Sequence, residues 1–244
     1  MPSFIESGFT SRVEYEKAMG GGSAVPGGTY SLFYWTKCSG FLGRAFAPIM
    51  ILEQAGAKYE CKDTAEKPAG TFAVPAIVTP SGTAIASRAA NTDHCVRKFH
   101  ALFCAFTGAS VSQVAAICYT LGHELGMAPS SAADDAKCLQ LCCDVADLVS
   151  EADKEGKLEG DRKAKWLSHF DDAVSKPHET NYADFAIFHG LAIIAVFKST
   201  STELSDLPPG LKAWFQKMME TKGVKAAFAK GTDLMPGGRA IPKL

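Results

Sequence analysis

The residue types here that could do covalent chemistry are mainly thiols and hydroxyls. The 244-residue chain carries eight cysteines, and one of them stands where reactive thiols are often found. Cys38 follows the apolar run Leu32 to Trp35 and precedes Ser39, Gly40 and a helix-forming segment closed by Gly56. Glycine past a helix end reaches left-handed backbone angles without steric cost. A thiol becomes nucleophilic as thiolate; free cysteine has a pKa of about 8.5, which a helix N-terminus or a hydrogen-bond donor at sulfur lowers. Cys38 and Ser39 are therefore candidate nucleophiles. Their loop also suits polar and anionic ligands, because unpaired N–H groups of a following helix point into it.

The remaining cysteines read differently. Cys138, Cys142 and Cys143 fall on one helical segment and Cys118 inside an apolar one, a placement that implies reduced core thiols in an intracellular protein. There is no C-x-x-C and no His pair at i, i+4, so zinc finds no pattern and no metal is expected. The glycines between Gly20 and Gly28 follow no strand and open no helix, which makes them a linker composition rather than a phosphate loop.

Positioning these groups requires a strand–helix–strand opening, with Ala57 to Cys61 as the second strand. Lys62 to Gly70 is a polar crossover, and Thr71 to Ser81 holds Val74-Pro75 inside a strand-like run, unusual because proline cannot donate to a sheet ladder. From Ser130 the pattern turns helical. Ser131 to Asp134 form a capping box, and Cys138, Leu141, Cys142, Val145, Leu148 and Val149 form one apolar stripe, with Asp144 and Asp147 on a solvated face. Glu151 to Arg162 is a charged loop, followed by a helix over Ala164 to Val174. Asn181 caps a helix with Asp184 three residues on, and Leu211, Trp214, Phe215 and Met218 face the core from a last long helix. Hydrophobic residues make up 47% of the chain, charged ones 21%, and the net charge is −1. That balance gives no electrostatic argument for nucleic acid or an anionic membrane. No run approaches the roughly 18 apolar residues of a membrane span. The opening has no secretory h-region, so a cytoplasmic protein is expected.

Tyr34-Trp35, Gly43-Arg44-Ala45, Pro48-Ile49 and Leu52 to Gly56 resemble the start of a glutathione transferase of the tyrosine type, sigma-like or fungal- or algal-like. Later segments follow in the same order: Phe72 to Pro75, Ser112 to Gly122 with Leu125 to Pro129, Asn181 to Phe185, and Pro208 to Phe228. The resemblance implies an α/β plus all-α fold, a thioredoxin-like βαβαββα domain followed by an all-helical domain. Residues 1–28 would be a flexible extension, 29–126 the glutathione-binding domain with an insertion at about 84–110, and 130–244 the helical domain.

The resemblance also implies roles. Tyr34 would activate the glutathione thiol; Trp35, Arg44, Val74, Pro75, Gln113 and Val114 would hold glutathione, Val74 through its backbone ahead of a cis Pro75. The glutamine–serine turn of the family has two possible counterparts, Gly82 to Ala90 with Ser87, or Ser112 to Gly122 with Gln113; the second has the better continuation. Val114 stands where the family keeps a serine hydroxyl, and Phe46 where it keeps an acid. In omega-like members a cysteine before the first helix forms a mixed disulfide with glutathione, a role open to Cys38; Ser39 beside it is a further candidate catalytic residue. Asp184 would be structural. The expected protein is a homodimeric enzyme joining glutathione, its co-substrate, to a hydrophobic electrophile; a glutathione-transferase-like scaffold of weak activity is the alternative.

Overall fold

A computed structural model describes residues 27–39, 42–69, 71, 73–80, 110–152, 158–196 and 206–230. The expected extension, apart from Gly27 and Gly28, and the expected insertion, apart from Ser110, lie outside these residues.

Four short strands pair in the order β2-β1-β3-β4. β1 (Tyr30–Phe33) is parallel to β2 (Tyr59–Lys62) and antiparallel to β3 (Ala76–Val78), which is antiparallel to β4 (Ser110–Ser112). The first strand stops two residues short of Trp35. There the chain enters a 3-10 turn, Trp35–Cys38, and the indole is 53% exposed. The cause lies in the backbone: Thr36, Lys37 and Cys38 have φ of 52°, 53° and 56°, left-handed angles that turn the chain out of the sheet.

Between β1 and β2 runs α1 (Phe46–Ala55), in which every residue from Phe46 to Leu52 is buried. Pro48 is tolerated because it sits in the first turn, where its missing N–H has no intrahelical partner to lose. Gly56 closes the helix at φ 70°, its N–H donating to the Glu53 carbonyl at 3.2 Å while the Ala57 N–H donates to the Leu52 carbonyl at 2.9 Å. The crossover to β3 carries only a 3-10 turn, Thr64–Glu66, where a thioredoxin-like pattern usually has a longer helix. Asp63 caps it, accepting from the Ala65 N–H at 3.0 Å. The Val74–Pro75 bond is cis, as the resemblance implies.

After β4 come α2 (Val114–Glu124), α3 (Ala132–Ala152), α4 (Gly160–Val174), α5 (Tyr182–Val196), α6 (Pro209–Met219) and α7 (Lys222–Lys230). Ser131 caps α3 by accepting from the Asp134 N–H at 3.3 Å, and the whole Cys138 to Val149 stripe is buried. Cys118, Cys138 and Cys142 are buried free thiols. Burial pushes Cys118 up to about 12, so it behaves as a small hydrophobe.

Three expectations are corrected. Asp144 does not face solvent alone but lies 2.9 Å from His169 Nε2 on α4. The expected charged loop is shorter than Glu151 to Arg162, since α3 runs through Ala152 and α4 starts at Gly160; Glu151 pairs with Arg162 and accepts from Trp166 Nε1 at 2.9 Å. The last long helix is two helices. Their junction is at Thr221, whose hydroxyl donates to the Met218 carbonyl at 2.7 Å and whose own carbonyl accepts from Lys225 at 3.1 Å.

The core joins the two halves. Phe46 of α1 meets Phe228 of α7 edge-on at 5.2 Å between ring centroids, and Phe188 of α5 stacks on Phe215 of α6 at 4.4 Å. Fully burying a side chain of this kind contributes about 1.5–3 kcal/mol. α7 approaches α1 closely at Gly223, whose N–H donates to Gln54 Oε1 at 2.8 Å. A Cβ there would stand 2.3 Å from the Met50 carbonyl oxygen, so only glycine fits.

Candidate functional site

The sheet register decides which of the sequence candidates meet. Phe33 pairs with Ala76, and Ala76 pairs with Ser112. Tyr34 directly follows the first of these residues, Val74-Pro75 directly precede the second, and Gln113-Val114 directly follow the third. Three segments distant in sequence therefore end at one edge of the sheet. Gln113 is exposed and holds φ 81°, outside the angles a side-chain-bearing residue prefers; such outliers concentrate at functional sites. It precedes α2 without a side-chain cap, so the dipole and N–H groups of that helix start open toward the same edge. Of the two possible glutamine turns, this one occupies the β4–α2 junction; Gly82 to Ala90 lies outside the described residues.

Tyr34 is 3% exposed. Its Oη accepts the backbone N–H of Arg44 at 2.9 Å. Burial raises the phenol above its usual value, opposed by that N–H and by the Arg44 charge. The hydroxyl thus remains protonated at neutral pH and is held by a bond to its oxygen, as a donor group must be. Arg44 belongs to the 3-10 turn Gly43–Ala45 that leads into α1, and its side chain is exposed.

Cys38 goes elsewhere. Its thiol is buried where the 3-10 turn packs beside β2, on the flank of the sheet away from β3 and β4. It is pushed far above the normal thiol range, first by the neighbouring Cys61 thiol and then by burial. That is opposite to the activation a helix N-terminus gives. Ser39 is exposed beside it, its N–H donating to the Thr36 carbonyl at 3.0 Å.

Two groups were missed by sequence reasoning. Cys61 is one: nothing in its spacing from Cys38 signals a partner, and only the pairing of Cys61 with Leu32 brings it near the turn. His189 is the other, a histidine in an otherwise apolar helix. It is 2% exposed on α5, its ring centroid 6.4 Å from that of Phe46. Burial and then the Arg44 charge lower it to about 3, so it is neutral, and its Nδ1 has no hydrogen-bond partner among the described residues. A cavity of about 490 Å³ elsewhere, lined by Met127, Lys137, Cys138, His178 and Asn181 among others, includes none of the sheet-edge residues.

Solved structures align with this architecture over most of its length. The glutathione S-transferase of Ascaris lumbricoides superposes with a TM-score of 0.57 at 20% identity, covering 89% of this chain and 99% of that one. The chain has the glutathione transferase fold. The Pi-class enzyme of Onchocerca volvulus aligns at TM-score 0.56 and 16% identity, over 82% of this chain and 92% of its own. A nematode-specific glutathione transferase of C. elegans aligns at 0.54 and 18%, over 85% and 99%. No family model and no curated sequence matches the chain. The glutathione transferase fold therefore persists here where pairwise identity has fallen to a fifth or less.

Proposed function

We propose that the protein is a glutathione transferase, with the sheet edge at Tyr34, Val74-Pro75 and Gln113-Val114 as its glutathione site. The observation that carries this reading is the register Phe33–Ala76–Ser112, which assembles residues implied by three separate resemblances into one place. Residues 29–126 would bind glutathione, and 130–244 would line the space for a hydrophobic electrophile.

In this reading the start of α2 and Gln113 receive the anionic γ-glutamyl end, since N–H groups at a helix start favour negative charge. The backbone of Val74 meets the cysteinyl part, and Trp35 and Arg44 flank it. The Tyr34 hydroxyl donates to the sulfur. A protonated phenol whose own oxygen is anchored by Arg44 stabilises thiolate over thiol and so raises the reactive fraction at neutral pH. The thiolate attacks the electrophilic carbon, a C–S bond forms, and the displaced electron pair leaves with the departing group or is protonated in an addition. Tyr34 is favoured over Cys38 and Ser39 because their turn lies beside β2, on the flank of the sheet away from the edge at which the other residues meet. The protein is proposed to act as a cytoplasmic homodimer, which light scattering of the purified chain would test. No helix among the described residues is long and apolar enough to cross a membrane.

Calorimetric titration with glutathione, paired with turnover of a generic aryl halide, tests the reading. The wild type binds in the micromolar to millimolar range usual for substrates, and Tyr34→Phe keeps binding while kcat falls about 10²-fold. Activity that survives Tyr34→Phe but disappears in Cys38→Ala would transfer the role to the thiol. Absence of binding at several millimolar would overturn the enzyme reading in favour of a scaffold.

A further inference from the structure

The cavity of about 490 Å³ away from the sheet edge has no part in the proposed transferase chemistry. It opens where the two halves join. The connection from α2 to α3 (126–130), the first turns of α3, the end of α4 and the connection into α5 surround it. Its volume falls within the roughly 300–1,000 Å³ usual for small-molecule sites.

Its floor and rim differ in kind. Leu141 of α3, Val174 of α4 and Ile187 of α5 are buried and make the floor apolar. Asp134 and Lys137, neighbours on one face of α3, and Lys176 and Glu179, in the connection between α4 and α5, are exposed at the rim. Among the described residues Asp134, Lys176 and Glu179 have no ion-pair partner, and Lys137 Nζ donates to Gln140 Oε1 at 3.2 Å. The rim thus offers two ammonium and two carboxylate groups, a balance that suits neither a simple anion nor a simple cation. An apolar floor beneath charges of both signs is complementary to a zwitterion with an apolar body.

The walls are fixed by bonds in which the rim side chains take no part. Cys138 Sγ of α3 donates to Asn181 Oδ1 at 3.4 Å, and the Tyr182 N–H donates to the Met127 carbonyl at 3.2 Å. The connection that carries Lys176 is pinned through His178, whose Nδ1 donates to the Lys176 carbonyl at 2.8 Å and whose Nε2 donates to Asp184 Oδ1 at 2.9 Å. Both ring nitrogens face acceptors, so both carry protons and the imidazolium charge is spent on Asp184. Asp184 is filled in turn by Trp214 Nε1 at 2.9 Å and the Asn181 N–H at 2.8 Å. These two opposite charges belong to the frame, and the rim charges are left for a ligand. A frame formed beforehand lowers the ordering cost of binding.

We propose that this cavity binds a dipeptide with apolar side chains. Its carboxylate goes to Lys137 and Lys176, its ammonium to Asp134 and Glu179, and its side chains lie on Leu141, Val174 and Ile187. An extended dipeptide separates its charged ends by up to about 7 Å, against a rise of about 4.5 Å between Asp134 and Lys137 on α3, a difference that the long lysine stem covers. The site needs no glutathione at the sheet edge and stands apart from the transferase reading.

The test is calorimetric titration of the full-length chain with leucyl-phenylalanine, its N-acetyl derivative and its C-terminal amide. The free dipeptide is expected to bind saturably, and each blocked form about fivefold more weakly, the size of an exposed ion pair. Lys137→Gln with Lys176→Gln should abolish the preference for the free carboxylate over the amide. Asp134→Asn with Glu179→Gln should abolish the preference for the free amine over the acetyl form. All four side chains are exposed, so these variants are expected to fold, and an unchanged urea midpoint checks that they do. Absence of saturable heat at several millimolar would overturn the proposal, as would blocked forms that bind as tightly as the free dipeptide. Binding that glutathione displaces, and that neither double variant alters, would assign the dipeptide to the sheet edge and overturn it too.

Discussion

Two polar clusters in this molecule are built on opposite terms. At the start of α5, Asp184 is 2% exposed and every direction around its carboxylate is occupied. It accepts the Asn181 N–H at 2.8 Å, His178 Nε2 at 2.9 Å and Trp214 Nε1 at 2.9 Å, while Asn181 Oδ1 accepts the Ala183 N–H at 2.9 Å. At the end of β1, Tyr34 is anchored by the Arg44 N–H, and the chain then passes the exposed Trp35 and runs through three left-handed residues, Thr36, Lys37 and Cys38. The first cluster is closed and rests on ordinary helix-start geometry. The second rests on strained backbone and combines a buried hydroxyl with an open helix start. Saturated polar groups fix a fold; groups intended for chemistry sit where the backbone has been forced to present them.

That contrast can be broken at the closed cluster with the largest effect. Asp184→Ala leaves the buried Trp214 Nε1 and the part-buried Asn181 N–H and His178 without their acceptor, and is expected to cost about 2–4 kcal/mol of stability, read as a fall in the urea midpoint at unchanged slope. The same urea titration on Tyr34→Phe should show a loss of about 1 kcal/mol or less, since one backbone N–H at a partly solvated turn loses its acceptor. Equal losses in the two variants would show that the open cluster is structural too.

A smaller effect separates the clusters by pH. His178 is raised to about 9 by its bond to Asp184, with the Lys176 carbonyl contributing and burial opposing. In the unfolded chain it titrates near 6.5. Its contribution is therefore complete below about 6.5 and is lost as pH rises through about 9. The stability gap between wild type and His178→Gln should narrow steadily across that window and vanish above it; a constant gap would mean the imidazole is not charged in the folded state. The smallest effect is expected at the strained turn, and it has the opposite sign. Lys37→Gly removes a Cβ from a left-handed position at φ 53° and should raise stability by about 0.5–1 kcal/mol, the relief of strain outweighing the added freedom of the unfolded chain. A loss there would show that the Lys37 side chain, not the backbone, holds the turn.

The closed cluster was legible because its information is local. Asn181 and Asp184 stand at cap spacing ahead of an apolar helix, Gly56 ends α1 where glycine should, and Pro75 interrupts a strand-like run that no ordinary ladder accommodates. The open cluster was only half legible. Tyr34, Pro75 and Gln113 could be named from resemblance, but their meeting depends on the Phe33–Ala76–Ser112 register, which no single segment encodes. The turn at Cys38 was hidden more deeply. It follows from left-handed angles at threonine, lysine and cysteine, residue types whose propensities predict the reverse. The break at Thr221 was hidden for a related reason. Thr221 and Gly223 are weak helix formers, but each is a single residue inside an otherwise helix-forming run.

The contact between Gly223 and Gln54 spans 169 residues, and it bears on how the protein is made. The N-terminal sheet and α1 leave the ribosome long before the helix that covers Met50 to Gln54 has been synthesised. Until α7 arrives, the face of α1 that holds Phe46 is exposed to solvent and to other nascent chains, so the first half cannot mature as an independent unit. A chain truncated before Lys222 should therefore accumulate with that apolar face uncovered, because the cover of α1 comes from a segment translated 169 residues after Gln54.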